Sequence, residues 1–172
     1  MARLPYPDAD RPELAALVGR IKRERGGRVL NLYRMLLHSP PLAEGWLGFL
    51  TSVRQQGVLA GRYRELAILR IAVINGARYE FVAHVPFALK EGLTQAQLDA
   101  LAADRSPDGL TDADRAVLDY AEAMTRAVRV PDDVFARARA RFSERELVEL
   151  TVTVAAYNCV SRFLEALQVD HE

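Results

Sequence analysis

Hydrophobic positions recur at helical spacing along nearly the whole chain, and short polar or glycine- and proline-bearing stretches divide them into segments. Pro12 suits the first turn of a helix that Asp10 is expected to cap, running to about residue 25, where Gly26-Gly27 stops it. A shorter helix is expected over residues 29–37. It breaks at His38-Ser39-Pro40-Pro41, because proline disfavours helical geometry at the residue before it. Leu42, Trp46, Phe49, Leu50 and Val53 form one apolar stripe on a helix over about 42–56, and Gly57 and Gly61 bracket the turn after it.

Residues 63–74 differ in kind. Leu66, Ala67, Ile68, Leu69, Ile71, Ala72, Val73 and Ile74 cover nearly the whole circumference, the pattern of a helix buried on all sides. The next helix spans about 77–90, contains Pro86, which should bend it, and stops at Gly92. Thr94-x-x-Gln97 is a capping box for a helix to about residue 103, after which 104–109 reads as a loop. Thr111 caps a helix to about 128, Pro131 opens one to about 142, and Ser143-x-x-Glu146 is the capping box of a last helix reaching Leu167. Nothing reads as a hairpin. The expectation is an all-α single domain over residues 1–172, a bundle of about seven to nine helices. The last helix is also apolar on most sides. Two such helices exceed what a small domain normally hides, so part of that surface is expected in a subunit interface.

Composition narrows the function classes. Lys plus Arg equals Asp plus Glu, at 23 each, so the chain has no charge bias toward nucleic acid or an anionic membrane. Cys159 is the only cysteine, which excludes an intrachain disulfide and fits a reducing, cytoplasmic setting. Its apolar neighbours suggest a small core residue. The N-terminus lacks the apolar stretch of a signal peptide, and the 66–74 run, interrupted by Arg70, is too short to span a bilayer. A soluble protein without a nucleic-acid or membrane partner is expected.

The histidines are His38, His84 and His171. His171 falls in the expected tail, and His38 at a helix end suits hydrogen bonding to terminal carbonyls. His84 follows Glu80 by one helical turn, so the two share a face. A carboxylate beside an imidazole orients the ring and supplies a general acid/base; the same spacing also describes an ordinary surface pair. As metal ligands Glu80 and His84 number only two, with no third histidine or cysteine placed to join them, so neither a metal nor another cofactor is expected.

The stretches Arg64-Glu65-Leu66-Ala67-Ile68-Leu69-Arg70-Ile71-Ala72-Val73 and Gly76-Ala77-Arg78-Tyr79-Glu80-Phe81-Val82-Ala83-His84, continuing to Gly92, resemble the core motif of the carboxymuconolactone decarboxylase and alkylhydroperoxidase (AhpD-like) superfamily. In its peroxidase branch a glutamate is followed, after eleven residues, by Cys-x-x-Cys-x-x-x-His and then a glycine. In that register Glu65 takes the glutamate position, His84 the histidine and Gly92 the glycine, while the cysteine positions fall on Ala77 and Glu80. Those two residues supply neither a nucleophilic nor a resolving thiol, so a disulfide peroxidase mechanism is not expected. A looser likeness extends upstream through Asn31-Leu32-Tyr33 and His38-Ser39-Pro40 to Trp46.

The resemblance to the decarboxylase branch, which lacks the cysteine pair, implies a carboxy-lyase-like enzyme carrying out cofactor-free acid/base chemistry on a small carboxylated or lactone substrate. It implies His84 as principal acid/base, Glu80 as its partner or a second acid/base, and Glu65 as a buried relay. Arg62, Arg64, Arg78 and Arg162 are then candidates to hold substrate carboxylates, with Tyr79 as an aromatic wall. A homo-oligomer, trimer or hexamer, is likewise implied. A peroxidase or antioxidant protein using a non-standard thiol, and a non-enzymatic binding protein on the same fold, remain alternatives.

Overall fold

A computed structural model describes residues 1–172. The chain is all-α: a 3-10 turn at Pro12–Leu14, then α1 (Ala15–Glu24), α2 (Asn31–Leu36), α3 (Pro40–Thr51), α4 (Gly61–Ile74), α5 (Arg78–Lys90), α6 (Gln95–Ala102), α7 (Asp112–Ala127), α8 (Asp132–Arg139) and α9 (Glu144–Leu167). Its internal contacts fall into two units, residues 1–56 with 164–172, and residues 57–163.

In the first unit Leu14, Ile21, Tyr33, Met35, Leu37 and Leu47 are almost fully buried. Arg25 is buried among them because its donors are satisfied: Nε donates to Tyr33 Oη at 2.9 Å and Nη2 to Thr51 Oγ1 at 3.0 Å. Three expectations change here. The first helix opens as a 3-10 turn on Arg11 and not on an Asp10 cap; Asp10 N–H instead donates to Asp8 Oδ1. The expected long third helix gives way to a single π-helical turn at Ser52–Gln56. The C-terminal tail is tied down, since the Asn31 side-chain amide donates to the carbonyls of Asp170 and His171.

The second unit is built around α4, where Leu66, Ala67, Ile68, Leu69 and Ile71 have no exposed surface. The chain itself therefore buries the apolar residues of α4 from Leu66 to Ala72. Its end explains how α5 is placed. Gly76, at φ 67°, lets Gly76 N–H reach Val73 O and Ala77 N–H reach Ala72 O, a Schellman cap that turns the chain sharply back. Gly92, at φ 86°, repeats the device at the end of α5, with Leu93 N–H donating to Ala88 O. The capping boxes predicted at Thr94 and Ser143 form, and the predicted cap at Thr111 forms as a capping box with Asp114. α5 runs on through Pro86 without a break.

α9 is long and apolar enough to cross a membrane by length and composition, but 56% of its most apolar window is buried within the protein. It serves as a core helix. Ala156, Tyr157, Val160 and Ser161 face inward, whereas Ala155, Cys159 and Arg162, at three-to-four spacing, lie on the outer face. Cys159 is exposed, correcting its expected place in the core; its position on the helix, not its apolar neighbours, decides this.

Candidate functional site

The turn at Gly76 brings α4 and α5 side by side, and with them two residues nineteen apart in sequence. His84 Nδ1 lies 2.6 Å from Glu65 Oε2, with both side chains buried at 8% and 3% exposure. A contact this short needs a proton between the atoms. It fixes the ring and assigns the Nδ1–H tautomer when the imidazole is neutral, placing the exchangeable lone pair on Nε2. Tyr157 of α9 meets the His84 ring edge-on at 5.1 Å between centroids, and Phe87 flanks it at 5.8 Å.

Glu80, one turn before His84 on α5, is also buried. It meets α9 at Ser161, whose Oγ is 2.5 Å from Glu80 Oε2 and 2.7 Å from the carbonyl of Tyr157. The same α9 segment thus touches both His84 and Glu80, joining Glu65, His84, Tyr157, Ser161 and Glu80 into one buried cluster.

The arginines separate into different situations. Arg64 Nε lies 3.5 Å from Glu65 Oε1, and its side chain is 16% exposed. The guanidinium therefore sits at the edge of the cluster, beside Glu65. Arg62 is engaged elsewhere. Its Nε and Nη2 grip the Asp114 carboxylate at 2.9 and 3.0 Å, and Nη1 donates to Gly92 O at 2.8 Å. Burial alone would raise the Asp114 carboxyl, but the Arg62 fork and the Thr111 hydrogen bonds outweigh it and hold Asp114 below the usual carboxylate range. Arg162 Nη1 donates to Asn158 Oδ1 at 2.7 Å, and Asn158 in turn donates to Thr125 Oγ1. Arg78 is exposed on the first turn of α5, and Tyr79 beside it is buried. The structure places Arg64 beside Glu65. It commits Arg62 and Arg162 to partners within the fold.

Sequence reasoning missed Ser161 and Asp114. The first had a faint signal, a small hydroxyl between Val160 and Leu164 on an otherwise apolar helix face; the second is a capping residue whose tie to Arg62 spans 52 positions. Glu149 was missed as well. Its Oε2 accepts from Val58 N–H and Leu59 N–H, both at 2.7 Å, and so anchors the loop that leads into α4. Those bonds and Arg145 outweigh burial and keep its carboxyl below the ordinary range.

The helical fold thus carries a buried Glu–His pair on neighbouring helices and no cysteine pair. The carboxymuconolactone decarboxylase family matches over residues 40–123, which includes Glu65, Glu80 and His84. Over that central part the chain resembles the carboxymuconolactone decarboxylase family, and its helices have the AhpD-like fold. Among solved structures it is similar to a protein of unknown function from Agrobacterium tumefaciens, a candidate AhpD antioxidant-defence protein. That likeness is 28% identity with a TM-score of 0.72, covering 78% of this chain and 93% of that one. An uncharacterised peroxidase-related protein with an AhpD core from Ralstonia eutropha JMP134 shares 19% identity with a TM-score of 0.84, over 99% and 92% of the two chains. The debrominase Bmp8, as a variant in complex with 2,3,4-tribromopyrrole, shares 18% identity with a TM-score of 0.78, over 100% and 94%. The last two likenesses describe the fold.

Proposed function

We propose that this protein is a cofactor-free acid/base enzyme acting on a small carboxylated carbonyl or lactone substrate, with decarboxylation of a carboxylated lactone as the nearest precedent in its family. The observation that carries this reading is the buried 2.6 Å contact between His84 and Glu65, with Arg64 beside it. An imidazole oriented by a carboxylate is a general acid/base, and a guanidinium at the cluster's edge matches a substrate carboxylate in shape and charge. In a decarboxylation the bond from carbon to the departing carboxylate breaks and its electron pair moves into the neighbouring carbonyl system. Carbon dioxide leaves, and a proton returns to carbon from His84. The substrate carbonyl is then the electron sink, and Arg64 holds the carboxylate that stays. Glu80 supplies a second carboxyl to the same cluster.

The burial of Glu65, Glu80 and His84 in one cluster favours an enzyme over a binding module, which would present such groups in solvent. The exposed outer-face residues Val82, Phe87 and Leu89 on α5 give a homo-oligomer, trimer or hexamer, an apolar surface to use. We place the protein in the cytoplasm. The decisive experiment is turnover of a panel of carboxylated lactones followed by carbon dioxide release, with Glu65→Gln and His84→Ala as controls. Release at the wild-type rate by both variants would refute the assignment.

A thiol-based antioxidant activity is the second reading, favoured by the exposure of Cys159. Two residues along α9 is about 200° of rotation, so Cys159 faces away from Tyr157 and Ser161.

A further inference from the structure

We infer that Glu80 is held in this site as a neutral carboxylic acid, its proton donated to Ser161, so that Glu65 alone carries negative charge in the cluster. Ser161 Oγ has two oxygen neighbours at hydrogen-bond distance, Glu80 Oε2 at 2.5 Å and Tyr157 O at 2.7 Å. A serine hydroxyl owns one hydrogen. The peptide carbonyl of Tyr157 has none to give, and an ionised Glu80 would have none either. One of the two contacts would then press bare lone pairs together in a region where Ser161 has no exposed surface. A carboxylic acid removes the conflict. Glu80 Oε2–H donates to Ser161 Oγ, and Ser161 donates to Tyr157 O, the back-bond to the carbonyl four residues earlier that helical serines commonly make. The chain ends on a carbonyl that takes no proton, so the proton stays on Glu80.

The surroundings agree. The buried cluster that includes Glu80 also holds Glu65 from α4, with Arg64 beside it, His84 from α5 and Tyr157 from α9; on the same helices Arg62, Arg70, Glu149 and Arg162 are bonded to other partners, and Arg78 and Cys159 are exposed. Arg64 and His84 both lie against the Glu65 carboxylate. Two buried carboxyls in one cluster are most easily kept when one is ionised against a cationic partner and the other is neutral. The consequence for the proposed function, on which this part rests, concerns substrate charge. A neutral Glu80 lets an anionic substrate approach Arg64 without repulsion from a second carboxylate, and makes Glu80 a positioning residue while His84 and Glu65 move the proton.

The test reads protonation directly and needs no substrate. The infrared spectrum of the folded wild-type protein at neutral pH is expected to contain the C=O band of a protonated carboxyl that disappears in Glu80→Gln. That band should move to higher frequency in Ser161→Ala, where the acceptor of its proton is gone. Selective 13C labelling of glutamate gives the same readout by NMR if Glu80→Gln folds poorly, because the neutral-acid signal is then sought in the wild type and displaced by Ser161→Ala. Absence of any protonated glutamate signal near neutral pH overturns the inference. So does a signal that neither substitution alters. Failure of the wild type to release carbon dioxide would count against the proposed reaction alone, since the protonation readout does not depend on turnover.

Discussion

His84 Nδ1 stands 2.6 Å from Glu65 Oε2, a bond between neighbouring helices that the turn at Gly76 makes possible. If that pair moves the proton, His84→Ala should lower kcat by about a hundredfold or more, the usual contribution of a positioned general acid/base. His84→Gln should not restore it, because an amide cannot exchange the proton. Steady-state carbon dioxide release measures both.

Arg64 should act on binding more than on the chemical step. Arg64→Ala is expected to raise KM about tenfold, the size of one charge-assisted hydrogen bond to a substrate carboxylate, and Arg64→Lys to recover part of it. A substrate analogue lacking that carboxylate should bind wild type and variant equally. A fall in kcat with KM unchanged would place Arg64 elsewhere in the mechanism.

The Arg62–Asp114 pair should carry stability. Asp114 is fully buried, so Arg62→Ala leaves its carboxylate without its bidentate partner and should cost about 3 kcal/mol. In a chain of this length that corresponds to a fall in Tm of roughly 6 to 12 °C. The sign with pH follows from the depressed carboxyl of Asp114. Its stabilisation is fully present above the ordinary aspartate range and is lost as pH falls through its lower folded value. Melting curves of wild type should therefore drop on acidification. Those of Asp114→Asn should start lower and show a shallower acid limb.

Cys159 should react readily with a thiol reagent in the folded protein, since it is exposed. Cys159→Ser should leave turnover unchanged, because that face of α9 is turned away from Ser161 and Tyr157. Loss of activity on labelling would revive the thiol reading.

Much of the fold was legible in the sequence because its signals are local. The capping boxes at Thr94, Thr111 and Ser143, and the glycines after α4 and α5, act within a few residues. The start of α1 and the π-helical turn after α3 were not legible, since neither carries a distinctive residue pattern. The spacing between Glu65 and Gly92 carried the resemblance to the superfamily and singled out Glu65, Glu80 and His84 as a set. It left open whether Glu80 and His84 formed a surface pair or part of something buried. Among four candidate arginines it also gave no reason to prefer Arg64.

Tertiary structure decided that Glu80 and His84 are buried and that Arg64 lies beside Glu65. Spacing along a helix tells which side chains share a face but not what that face packs against. Only the approach of α4 places Glu65 on the His84 ring, and only α9 supplies Ser161 to Glu80, 81 positions away. Cys159 lies among apolar neighbours in sequence and in solvent in the structure, because exposure depends on the side of the helix a residue occupies and not on the residues next to it.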